Sequence, residues 1–175
     1  MVRVFISVEL GEETKQEIKD IQKQIEDSNL LFGKMSEPES IHLTLKFLGE
    51  IEEKKLEEVK KLLKEIKFKK FEAKLGKFGL FSDRILWIQL DGEEIMGLQK
   101  EVDEKLKELF KPEPRFMAHI TIARVKNIRV KTKLLDFLKR IKMNNKISVE
   151  EFFLKKSTLT PQGAVYETLE KYELR

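Results

Sequence analysis

"SIHLTLKFLGE", residues 40–50, and "AHITIARV", residues 118–125, decide how this chain is read. Both alternate apolar and polar side chains, as a half-buried strand does. Each carries one of the chain's two histidines, His42 and His119, two residues before a threonine, Thr44 and Thr121. Successive side chains of a strand point to opposite faces. His42 and Thr44 therefore share one face, with Leu43, Leu45 and Phe47 on the other, and Lys46 falls on the histidine face. The same parity sets His119 and Thr121 against Ile120 and Ile122. Threonine is sparse, seven of 175 residues, so its place two residues after both histidines calls for a chemical reason.

The surroundings of the two stretches repeat. "RVFISVELGEE" (3–13) and "RILWIQLDGEE" (84–94) align at an offset of 81, and His119 follows His42 at an offset of 77. After each opening strand comes an amphipathic helix. The first places Ile18, Ile21 and Ile25 at helical spacing, and the second Ile95, Leu98, Val102, Leu106 and Leu109. A further helix with Leu56, Val59, Leu63 and Ile66 follows the first histidine strand. One with Leu134, Phe137, Leu138 and Ile141 follows the second. Residues 29–40, with Gly33 and Pro38, read as a loop. Residues 70–81 read as a strand pair or an irregular strand broken at its glycines. Residues 146–159 read as a strand region, followed by a turn and a closing strand at 164–174. The pattern predicts an α+β chain forming one bilobal unit over 1–175. Its internal repeats run approximately over 1–81 and 82–160. Two similar lobes would face each other across a pseudo-two-fold axis, each contributing one histidine strand to a cleft.

Composition narrows the function class. Hydrophobic residues make up 41% and charged residues 38% of the chain. The charge is mostly Lys and Glu, a balance common in thermophile proteins, whose surface ion pairs strengthen with heat. The net charge of +4 is compatible with an anionic partner and equally with a Lys-rich solvated surface. Cysteine is absent, which excludes disulfides, a thiol nucleophile and a Cys-based zinc site. No secretory leader or membrane-length apolar run is present in the sequence, so a soluble cytoplasmic protein is expected.

Two imidazoles titrating near neutrality can act as general base and general acid in one displacement. Two hydroxyls can hold anionic oxygens in the transition state. Phosphoryl transfer needs such a pair on opposite flanks, one group activating the attacking oxygen and one protonating the leaving oxygen. Zinc would ask for more ligands than two histidines supply, and no carboxylate shares the histidine faces, so no metal or other cofactor is expected. Phosphate-loop, dinucleotide and serine-hydrolase motifs are absent. An RNA-end binding module and a phosphoesterase acting on a small cyclic nucleotide stay open as alternatives.

"HLTLKFLGE" and "HITIARV" resemble the paired His-x-Thr/Ser motifs of the 2H phosphoesterase superfamily, and most closely the RNA 2′,3′-cyclic phosphodiesterases, also called 2′-5′ RNA ligases. "VRVFISVEL" is similar to that family's first strand, and "STLTPQGAVYETLEKYEL" to its closing Ser-x-Leu and Gly-x-x-Tyr segment. The resemblance implies an α+β fold with two antiparallel sheets facing a central cleft and helices packed outside, and metal-free hydrolysis of a terminal 2′,3′-cyclic phosphate on RNA to a 2′-phosphate, with reversible 2′-5′ RNA ligation at the same site. It implies that His119 activates water, that His42 protonates the departing 3′ oxygen, and that Thr44 and Thr121 hold the phosphate oxygens. Arg124 matches a basic position at which this family approaches the phosphate. Strand parity puts it opposite His119, so reaching the cleft requires a bulge. Where the family often has Pro before the second histidine, Ala118 stands here. A monomer acting on RNA ends, such as tRNA halves, is the partner expectation.

Overall fold

A computed structural model describes residues 1–143 and 146–175. Val2–Glu9 forms β1 and His42–Ile51 forms β3. They pair antiparallel, and β1 pairs on its other side with β8 (Glu151–Thr160), which pairs with β9 (Gly163–Glu173). The first sheet thus has the order β3-β1-β8-β9. The second has the order β2-β6-β5-β4-β7. It comprises β2 (Leu31–Met35), β4 (Phe71–Phe81), β5 (Ile85–Asp91), β6 (His119–Ile128) and β7 (Lys146–Val149). All its pairings are antiparallel. The chain is therefore an α+β fold of two lobes, as the alternation and helical stripes predict.

Four helices cover the outer faces: α1 (Glu12–Asp27), α2 (Glu53–Lys64), α3 (Glu93–Leu106) and α4 (Lys131–Arg140). Each buries the apolar stripe seen in the sequence: Ile18, Ile21 and Ile25 in α1, Leu56, Val59 and Leu63 in α2, Ile95, Leu98, Val102 and Leu106 in α3, and Leu134 and Leu138 in α4. Burying such side chains supplies most of the driving force for the fold. Helix α1 rests on β2 and β6 of the second sheet, and α3 rests on β3 of the first and β4 of the second. No described helix is long and apolar enough to cross a membrane.

Two departures from the sequence reading bear on the site. Residues 29–40, expected as a loop, contain β2 and a short 3-10 turn at Pro38–Ser40. "LFGKM" has no alternation to announce a strand, and it becomes one because β6 offers it an open edge. Gly33 lets the two backbones approach: a Cβ there would sit 2.1 Å from the Arg124 carbonyl oxygen. Residues 146–159, expected as one strand region, divide at Glu150 into β7 and β8, which join different sheets.

Candidate active site

His42 opens β3 and His119 opens β6, and these two strands touch where the sheets meet. Their burial follows the same sequence over the first nine positions, including two buried residues in a row at the fourth and fifth. A regular strand cannot do this. In both strands a bulge interrupts the ladder at the same point. Ser7 pairs with Thr44 and Ile6 with Lys46, leaving Leu45 as the extra residue. Trp87 pairs with Thr121 and Leu86 with Ala123, leaving Ile122 as the extra residue. An inserted residue inverts the parity of everything after it.

The inversion decides where three side chains go. Arg124 pairs with Ile85, and Thr121 with Trp87. Ile85 and Trp87 lie two residues apart on β5, so Arg124 shares the face of Thr121 and His119. This is the bulge that the arginine required. In β3 the same step turns Phe47 outward, where it is 73% exposed. It lies beside Phe5 with ring centroids 6.1 Å apart, on the face of His42 and Thr44 and not in the core where simple alternation sets it. Lys46 goes the other way. Expected on the histidine face, it is buried against Asp103 of α3, and its Nζ also donates to the Lys111 carbonyl at 2.8 Å. Asp103 accepts further bonds from the Gln99 side chain and the Glu113 amide, both at 2.8 Å. Burial alone would raise the Asp103 carboxyl, but these hydrogen bonds outweigh it and hold the group below the usual range.

The two imidazoles are wired differently. His119 Nδ1 lies 2.8 Å from the Met117 carbonyl. A carbonyl only accepts, so Nδ1 carries the hydrogen and Nε2 of the neutral ring keeps its lone pair. Phe81 meets this ring edge-on at 5.0 Å, and Trp87 lies 6.3 Å away. His42 is stacked on Phe5 at 5.1 Å and touched edge-on by Tyr166 at 5.2 Å. Its Nδ1 is buried and has no hydrogen-bond partner among the described residues. Burial pushes the His42 imidazole down to about 4; Glu9 opposes that shift, while Lys155 and Lys15 add to it. Glu9 stands directly across the ladder from His42 and is fixed by Lys155 Nζ and Ser7 Oγ, each 3.0 Å from its Oε1.

Thr44 and Thr121 are each half-buried, two residues on from their histidines and on the same face. No group of three or more His, Cys, Asp or Glu among the described residues is placed to hold a metal ion. Sequence reasoning missed Phe47, Glu9, Lys155 and Tyr166. Phe47 could be found only through the bulge, and Glu9 and Lys155 only through strand pairing. Tyr166 did carry a signal, since it belongs to the closing Gly-x-x-Tyr segment.

Comparison with known proteins agrees with this geometry. The sequence model of the LigT-like phosphoesterases matches twice, over residues 8–87 and 88–166. An RNA 2′,3′-cyclic phosphodiesterase of Methanocaldococcus jannaschii is 36% identical over 98% of this chain and all of its own length. One of Archaeoglobus fulgidus is 34% identical, again over 98% of this chain and the whole relative. A crystal structure from Thermus thermophilus superposes with a TM-score of 0.82 at 28% identity, covering 99% of this chain and 98% of the other.

Proposed function

Because the chain belongs to the LigT-like phosphoesterase family, we propose that it hydrolyses the 2′,3′-cyclic phosphate at an RNA end to a 2′-phosphate, using His42 and His119 and no metal. The observation that carries the division of labour is the unequal wiring of the two rings. With Nδ1–H held on the Met117 carbonyl, His119 presents a basic Nε2 and takes a proton from water. The water oxygen attacks phosphorus as the bond from phosphorus to the 3′ oxygen breaks. His42, charged once an anionic phosphate is beside it, gives its proton to that 3′ oxygen. Thr44, Thr121 and Arg124 stabilise the non-bridging oxygens as negative charge builds. Phe47, exposed beside Phe5, offers a flat apolar shelf for the terminal base.

With an RNA 5′ hydroxyl in place of water, the same step would form a 2′-5′ linkage as the bond from phosphorus to the 3′ oxygen breaks, and attack of that 3′ hydroxyl on the linkage would reverse it. The test is turnover of an oligoribonucleotide ending in a 2′,3′-cyclic phosphate. Activity should survive EDTA, and His42→Ala or His119→Ala should each lower kcat at least about 100-fold while leaving the fold intact. Salt-dependent binding without turnover of any cyclic phosphate would mark a binding module and overturn the proposal.

A further inference from the structure

Beyond Arg124, the edge of the second sheet carries a strip of cations that the chemistry above does not use. Lys34 of β2 pairs directly with Arg124 of β6, so their side chains share the face of Thr121 and His119. Past the Gly33–Val125 pair come Phe32 and Asn127, with Lys126 left as an extra residue on β6. Beyond them the Arg129 amide bonds the Leu30 carbonyl. Across β6, Arg84 places its guanidinium 3.3 Å from the Lys126 carbonyl. Lys34, Arg84, Arg124, Lys126 and Arg129 are all exposed.

This strip is not neutralised. Lys64, Lys70, Lys105, Lys107, Lys146 and Lys171 are paired with acids elsewhere on the surface. Neither Arg124 nor any of the four strip cations Lys34, Arg84, Lys126 and Arg129 joins an ion pair with a described residue. Two neighbouring acids are already engaged, Asp27 by Lys23 and Asp83 by Lys131. The exposed acids Glu37 and Glu39 follow Lys34 by three and five residues, at and within the turn Pro38–Ser40 that packs against β9, and neither forms an ion pair with Lys34. Within the strip Phe32 is 45% exposed, an aromatic ring standing among cations. Unpaired cations beside an exposed aromatic on an open strand edge suit a single-stranded nucleic acid: cations for its phosphates and a ring for one base.

We propose that the β2–β6 edge, through Lys34 and Phe32, binds the RNA body upstream of the cyclic phosphate, which makes the protein an oligonucleotide enzyme in preference to a mononucleotide one. The proposal rests on the phosphodiesterase reading, and the experiment separates the two. Turnover of an oligoribonucleotide of about ten residues with a 2′,3′-cyclic end is compared with turnover of a mononucleoside 2′,3′-cyclic phosphate. Lys34→Glu should raise the oligonucleotide KM roughly tenfold and Phe32→Ala several-fold, with mononucleotide kcat/KM within about twofold of the parent. For Lys34→Gln, the logarithmic salt dependence of oligonucleotide binding should be shallower by about 0.7. Equal effects on both substrates, or none on the oligonucleotide, would overturn the strip. If the parent protein turns over neither substrate, the phosphodiesterase reading fails. The strip is then judged by fluorescence anisotropy with a labelled oligoribonucleotide, which Lys34→Glu must weaken for the proposal to stand.

Discussion

Burial pushes the His42 imidazole down to about 4, and charges of opposite sign then contest it. Glu9 favours the imidazolium, while Lys155 and Lys15 disfavour it. The arrangement is a tunable one, because Lys155 also grips the Glu9 carboxylate at 3.0 Å. Glu9→Gln removes the favourable charge, so His42 should titrate lower still. Lys155→Met removes an unfavourable charge and releases Glu9, so His42 should titrate higher. The His42 Cε1–H resonance followed by NMR across pH reads both directly. Shifts in the same direction would mean that the pair only supports the fold. The folded value lies below the ordinary 6.5, so His42 subtracts stability as pH falls from about 6.5 towards 4 and adds no further loss below that. Glu9→Gln should widen this acid-sensitive window and Lys155→Met should narrow it.

At the scale of elements, the two bulges do most to shape the site. Period-two alternation in β3 and β6 is legible because burial enforces it at His42–Leu45 and at His119–Ile122. The histidine–threonine pairs can therefore be set on common faces from the sequence. Parity beyond the fourth residue cannot be read, because a bulge is a property of two paired strands and leaves no mark in either one alone. Simple alternation thus assigns Phe47 to the core and Lys46 to the cleft, each the reverse of what the register gives. For Arg124 too, the register gives a face that simple alternation denies it. A second device supports His119 from below. Gly79 lies under the Trp87 indole, and a Cβ there would come within 2.0 Å of the ring. Gly79→Ala should displace Trp87 from beside His119, cost about 1–3 kcal/mol in urea unfolding, and lower kcat more than a surface Gly→Ala change. Unchanged kcat and stability would show that the indole has room to move.

The molecule as a whole is tied across its lobes by Lys46. That lysine sits on β3 of the first sheet, and its partner Asp103 sits on α3, which also packs on β4 of the second. Breaking a buried ion pair from one side leaves the other charge stranded, so Lys46→Met or Asp103→Leu alone should cost about 3–5 kcal/mol. The double substitution should recover most of that loss in chemical denaturation, because no lone charge is left behind. Equal loss in the double variant would assign the energy to shape and not to charge. In β6 the position matching Lys46 is Ala123, so the tie exists on one side of the pseudo-symmetry only.

That single tie also governs how the cleft meets a ligand. Lys46 lies four residues from His42, and Glu113, whose amide bonds Asp103, lies six residues from His119. Asp103 therefore connects the strand of His42 to the chain leading into His119 by a short route. A connection made before a ligand arrives leaves less ordering entropy to lose on binding.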